Sequence, residues 1–187
     1  MPCPGSVAAS DGIPDVESDY AREGTAAHAV GEQSLILGTD PSFFLGEVMD
    51  GIRVDEDMVE AVSVYTNYIK ERMALPSFRK MLVEERVNLD PLEPPRPMFG
   101  TCDCVLIFDG FIEVVDYKHG IGLFVEVVDN PQAMYYALGY LFRYLEENPD
   151  EDMPSPIVLT IAQPRIPSEK GLVRSITMTP EELLEWG

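Results

Sequence analysis

Positive charge is what this chain has least of. Thirteen Lys and Arg stand against thirty-three Asp and Glu, a formal net charge of −20. That argues against DNA as a partner, because nucleic-acid binders usually carry a basic face that neutralises phosphate. The plain reading of the excess acid is solubility. Arg79, Lys80, Arg86 and Arg96 form the richest basic stretch and leave room for a small basic groove on an acidic body. Cysteine is nearly absent too: Cys3, Cys102 and Cys104 supply no disulfide framework, and a reducing, cytoplasmic compartment is expected. No apolar run reaches the ~18 residues a membrane span requires. Met1–Gly12 has neither a basic region nor an apolar stretch, so no secretory signal is expected. There is no internal repeat and no low-complexity tract. What remains is a chain of 187 residues, 45% apolar and 25% charged, suited to one domain over residues 1–187 with one core.

Residues 1–17 hold Pro, Gly, Ser and Asp without a period, an irregular lead-in. Helical spacing starts at Ser18, a natural cap, and runs to about Leu37, although Gly24 and Gly31 weaken it. Gly38–Val54 is loop-like. Asp55–Ala74 is a second helix, stopped by Pro76. Strands follow at Lys80–Asp90, Met98–Phe108 and Phe111–Lys118, with the proline-rich Pro91–Pro97 as a rigid connector. Asn130–Glu147 is a third long helix. Glu146–Asp152 is a solvated acidic loop. Ile157–Pro164 and Leu172–Met178 are late strands. Thr179-Pro180-Glu181-Glu182 opens a last helix, barely begun where Gly187 closes the sequence, as expected of either a longer natural chain or a short variant. The order α, α, β-meander, α, β, β, α predicts an α/β (α+β) fold: a central mixed sheet containing a meander, flanked by helices.

Asp109-Gly110 between two β-rich runs signals a two-residue hairpin, and a type I′ turn is expected. Such a loop sets the register: Phe108 faces Phe111, Cys104 faces Val115, and Asp103 faces Asp116. Opposed side chains share a face about 4.5–5.5 Å apart at Cβ, and Lys118, two residues past Asp116, joins them. Glu113, Cys102 and Cys104 fall on the other face, the cysteines as small core residues. Facing carboxylates repel, and a divalent cation would offset that cost. Mg²⁺ prefers oxygen ligands and is often held by one or two carboxylates plus a substrate phosphate. Taken singly, Asp and Lys on a strand face are more often exposed positions with a weak ion pair.

The string Gly100-Thr-Cys-Asp103, followed by Glu113-Val-Val-Asp116-Tyr-Lys118-His-Gly120, resembles the G-x-x-D … (D/E)-Y-K-x-G core of RecB-like exonucleases in the PD-(D/E)xK nuclease superfamily. Glu23-Gly-Thr-Ala-Ala-His28 resembles the upstream helix that supplies a histidine ligand there, and Gln132-Ala-Met-Tyr-Tyr136 the Q-x-x-x-Y helix motif that follows the lysine. The four motifs occur in order over residues 22–136, and the opening Cys3-Pro-Gly-Ser resembles a phage-encoded subgroup. The resemblance implies a restriction-endonuclease-like core and Mg²⁺ or Mn²⁺ held by His28, Asp103, Asp116 and the Tyr117 carbonyl. It makes Lys118 the catalytic lysine, and Gln132 and Tyr136 the residues that position DNA or the active-site side chains. Glu32, one turn beyond His28, would be a second-shell or second-metal carboxylate; Glu23 suits a helix N-terminus; His119 is expected to be exposed. Some relatives hold an iron–sulfur cluster on four cysteines, but no cysteine follows Cys104, and no cluster is expected.

The function so implied is a metal-dependent deoxyribonuclease, an exonuclease of phage or bacterial recombination or repair, acting on DNA, without membrane association, and working with a recombination or single-strand-binding partner. The alternative is a catalytically inactive module of that fold that binds nucleic acid or protein, which the charge favours. Metal and lysine would equally serve hydrolysis of another phosphate ester.

Overall fold

The computed structural model describes residues 18–187; the lead-in over 1–17 and Cys3 lie outside the described residues. The first helix, α1 (Asp19–Leu37), starts where the Ser18 hydroxyl accepts from the Ala21 amide and ends at Gly38, whose φ of 66° suits a residue without Cβ. The segment expected to be a loop holds a 3-10 turn (Pro41–Phe44) and a short hairpin of β1 (Val48–Met49) and β2 (Ile52–Arg53). Helix α2 (Glu56–Met73) begins with Asp55 accepting from the Met58 amide at 2.8 Å. Then come β3 (Phe78–Asn88), β4 (Phe99–Phe108), β5 (Ile112–Tyr117), α3 (Pro131–Glu147), β6 (Ile157–Ala162), β7 (Val173–Met178) and α4 (Pro180–Trp186). Helix α4 opens on a complete capping box of Thr179 and Glu182.

The five long strands form one mixed sheet in the order β3-β4-β5-β6-β7. The first three make the antiparallel meander; α3 then crosses to β6, which runs parallel to β5, and β7 returns antiparallel. Every residue of β5 and of β6 is buried, as expected for strands covered on both faces. One face packs against α3 and α4 through Val105, Val114, Ala137, Leu138, Leu159 and Leu183. The other packs against α1 and α2 through Ala27, Val62, Tyr65, Leu106, Val115 and Tyr117. The fold is thus the mixed α/β sheet between helices that the element order predicts.

The hairpin register is as counted: Ile107 opposes Ile112 and Cys104 opposes Val115. The turn itself differs. Only Gly110 adopts a left-handed φ, at 83°, whereas a type I′ turn needs positive φ at both central residues. The cysteines also depart from expectation, because they do not share a face. Cys102 packs under α3 and Cys104 under α1 and α2, so the alternation of side chains breaks at Asp103 between them.

Candidate metal centre

That break builds the site. In this register the next hydrogen-bonded pair beyond Cys104 and Val115 would join Cys102 to Tyr117. Instead the Tyr117 amide donates to Asp103 Oδ2 at 2.6 Å, so β4 and β5 part where the two aspartates lie. On the other side of β4, Glu84 of β3 sits between the paired neighbours Val83 and Glu85 with φ of 51°. A left-handed glutamate inside a strand is uncommon and costs about 1–3 kcal/mol, strain that tends to gather at functional sites. Both distortions serve one convergence: His28, Glu84 and Asp103 each offer a ligand atom, and these lie within 4.8 Å of one another.

His28 comes from the middle of α1. Its Nδ1 is 3.2 Å from Asp103 Oδ1, and its ring meets the Tyr117 ring edge-on at 5.2 Å. Burial pulls the imidazole pKa down, but the hydrogen bond to Asp103 and the charges of Asp103, Asp116 and Glu84 outweigh it, and the net shift is upward. Glu84 is pushed up to about 7, first by burial and then by Asp103, with Glu32 adding to the repulsion and His28 opposing it. Glu32 therefore stands close enough to act on the cluster through its charge. Asp116 is buried, with 3% exposure. Its carboxyl is pushed up to about 6 by burial and by Asp103, against the pull of Lys118 and His28.

Asp116 stands beside the triad, paired with Lys118, on the face covered by α3. Lys118 Nζ is 3.1 Å from Asp116 Oδ1 and donates to it. It is 2.8 Å from Oδ2, but that oxygen lies off the direction in which the ammonium donates, so Oδ2 is left without a hydrogen bond. The same ammonium donates to Gln132 Oε1 at 2.7 Å, and Gln132 Nε2 donates to the Tyr136 hydroxyl at 2.8 Å. Asn130 caps α3 by accepting from the Gln132 and Ala133 amides, both at 3.0 Å, which sets Gln132 at the helix start. A Cβ on Gly100 would come within 2.6 Å of Tyr136 Cε1, so the first residue of the G-x-x-D string makes room for the last residue of Q-x-x-x-Y.

All these groups lie at the carboxyl ends of the parallel pair β5 and β6, the usual place for a ligand crevice in such sheets. A cleft of about 440 Å³ opens there, lined by His28, Glu84, Tyr117 and Lys118 among others. The structure thus brings together His28, Asp103, Asp116, Tyr117, Lys118, Gln132 and Tyr136, and adds Glu84. Spacing pointed to no role for Glu84, because only its backbone twist turns it inward.

His119 is not exposed as expected; it is 3% accessible. Its Nδ1 is 2.8 Å from the Tyr117 hydroxyl and its Nε2 2.8 Å from Arg165 Nη1. Burial and the nearby Arg165 lower its pKa. Glu23, expected merely to favour a helix start, accepts from Arg165 at 2.6 Å. Of the basic stretch, Arg79 pairs with Asp109 at the hairpin turn, six residues from Asp103, about 20 Å along an extended strand, and Arg86, two residues past Glu84 on β3, lays its guanidinium over the Phe99 ring. Glu113, excluded as a ligand, is fully buried on the other face and bonded to Tyr68, Arg72 and Thr160. Among the described residues no helix is long and apolar enough to cross a membrane.

A family model described as "Protein of unknown function (DUF2800)" matches residues 1–187. The chain belongs to the DUF2800 family. Among solved structures, this DUF2800 chain is similar to a Eubacterium rectale protein called "Putative exonuclease", at 12% identity and a TM-score of 0.45. The match covers 91% of this chain and 63% of that one, so the chain spans less than two thirds of that protein's length.

Proposed function

We propose that this DUF2800 protein is a metal-dependent nuclease of the RecB-like PD-(D/E)xK type that hydrolyses DNA phosphodiester bonds. The observation that carries the reading is the convergence of His28, Glu84 and Asp103 within 4.8 Å, beside an Asp116–Lys118 pair. A divalent cation fits this donor set. Two carboxyls and an imidazole crowd together, Glu84 and Asp116 are both pushed up by burial and then by the charge of Asp103, and a buried Asp116 oxygen lacks a hydrogen bond. His28, Glu84, Asp103 and Asp116 would hold the ion, with the Tyr117 carbonyl as the further ligand the resemblance implies. The oxygen-rich set suits Mg²⁺ or Mn²⁺. When bound, the ion would lower the pKa of water and offset charge on a phosphoryl oxygen.

The chain's own groups do the rest. Tyr117 N–H and His28 orient the Asp103 carboxylate from two sides. Lys118, fixed between Asp116 and Gln132, presents an ammonium to the charge that grows on the phosphate or to the attacking water. Tyr136 holds Gln132, and Gly100 leaves Tyr136 its place. The family resemblance further supports exonuclease action in phage or bacterial recombination or repair, with DNA as substrate.

The test is direct. Purified protein with Mg²⁺ or Mn²⁺ is expected to degrade linear single- or double-stranded DNA. Asp116→Asn and Lys118→Ala should each lower the rate by at least about 10²-fold, the scale of losing one charge-stabilising group. Failure of the wild type on both substrates with both metals overturns the reading. A second reading, a nuclease-fold module that binds without cutting, is favoured by the −20 charge. Mn²⁺ titration separates the two, because heat of metal uptake at the His28–Glu84–Asp103 cluster favours the enzyme.

A further inference from the structure

A second cavity, of about 500 Å³, adjoins the metal cleft and shares His119 and Gly120 with it. The two form one trough, so a chain molecule lying over Lys118 continues into the second cavity. Its size falls within the roughly 300–1,000 Å³ of small-molecule sites.

The floor is polar and held in place. Arg165 Nη1 donates to Glu23 Oε1 at 2.6 Å and to His119 Nε2 at 2.8 Å. His119 Nε2 also lies 3.4 Å from Glu23 Oε1, and burial together with the Arg165 charge favours the uncharged ring. Glu23 already balances the guanidinium. The floor therefore carries no net charge, which disfavours a phosphate there and suits an uncharged ring edge that both accepts and donates. Among the described residues no hydrogen bond uses Arg165 Nε or Nη2, and the side chain is 23% exposed. Donors therefore remain for a ligand.

Tyr20 and Ile121 supply apolar walls. Tyr20, one turn before Glu23 on α1, has 74% of its surface exposed, and Ile121 has 52%. Gly120 and Gly122 have nothing within 4 Å of a built Cβ, so the rim is open. An exposed phenol ring and a guanidinium lining one cavity are the kinds of group on which proteins stack unpaired bases.

We propose that this cavity takes the unpaired nucleobase adjoining the phosphate at Lys118, so that DNA enters the trough as a single strand. The inference rests on the nuclease reading of the neighbouring cleft. A blunt duplex, whose bases are stacked and paired, must fray before it fits, and cleavage of single-stranded DNA is correspondingly favoured.

The test is equilibrium binding of a single-stranded oligodeoxynucleotide carrying 2-aminopurine at its terminal or penultimate position. It is titrated with the full chain bearing Asp116→Asn, in Mn²⁺, so that no strand is cut. Binding is expected to quench the fluorophore. Tyr20→Ala on the same background should remove the quench and weaken binding about 5- to 150-fold, the span of one base–aromatic stack, while Tyr20→Phe keeps both. An oligonucleotide abasic at that position should bind the Tyr20 protein as weakly as the intact one binds Tyr20→Ala, with no further loss when the two changes are combined. Losses that multiply, a quench that survives Tyr20→Ala, or no binding at all overturns the proposal. Wild-type cleavage of DNA in the same conditions is read separately. Cleavage without Tyr20 dependence removes the cavity and leaves the nuclease, whereas Tyr20-dependent quenching without cleavage does the reverse.

Discussion

Asp116 and Glu84 hold protons that an unfolded chain would release. Their carboxyls are raised from 3.8 to about 6 and from 4.5 to about 7. Between those limits the folded state binds more protons than the unfolded state, so stability falls as pH rises. Metal-free protein should therefore lose Tm steadily from about pH 4 to about pH 7. A cation favours the ionised carboxylates and reverses the trend. The Tm gained on adding Mn²⁺ should be larger at pH 8 than at pH 5. Glu84→Gln and Asp116→Asn should each flatten the metal-free profile and reduce the gain. Thermal melts with chelator or Mn²⁺ across this range check it; a metal-free Tm that rises toward pH 7 would contradict the charge crowding.

At the scale of elements, helix and sheet touch most closely through missing side chains. A Cβ on Gly139 of α3 would lie 2.9 Å from Val87 Cβ and 3.0 Å from the Asn88 carbonyl oxygen, and neither backbone can yield freely. Gly139→Ala should cost about 1–3 kcal/mol in denaturant unfolding, as overpacking does, and leave the activity per folded molecule intact. Gly100→Ala acts differently. Its new methyl displaces Tyr136, the support of Gln132 and so of Lys118, and activity should fall more than stability. Comparable losses in the two variants would deny Gly100 its link to the lysine. Capping is a third handle: Asp55→Ala should cost about 1 kcal/mol, read as a lower urea midpoint. The caps, the hairpin register and the four-residue spacing of Gln132 and Tyr136 were legible because each depends on near neighbours in the chain. The inward turn of Glu84 was not, since its φ of 51° answers to pairing across β3 and β4. The burial of His119 depends on Arg165, forty-six residues away.

For the whole molecule, −20 charges set the terms of any meeting with DNA. Lys118 and Arg165 are the cations at the trough, each with a carboxylate partner. With Arg165 balanced by Glu23 and one phosphate neutralised at Lys118 on a single strand, log Kobs against log salt should slope by about −0.7 at fixed Mn²⁺. A slope near −6 would point to a basic surface elsewhere. Sequence alone determined the element order, the strand register that carries Asp103 toward Asp116, and the identity of the lysine beside them, because periodicity, caps and a two-residue turn are local rules. Tertiary structure decided which groups surround the candidate ion. The parting of β4 from β5, the twist that delivers Glu84, and the Glu23–Arg165–His119 floor arise where distant strands and loops meet, and no spacing along the chain encodes those meetings.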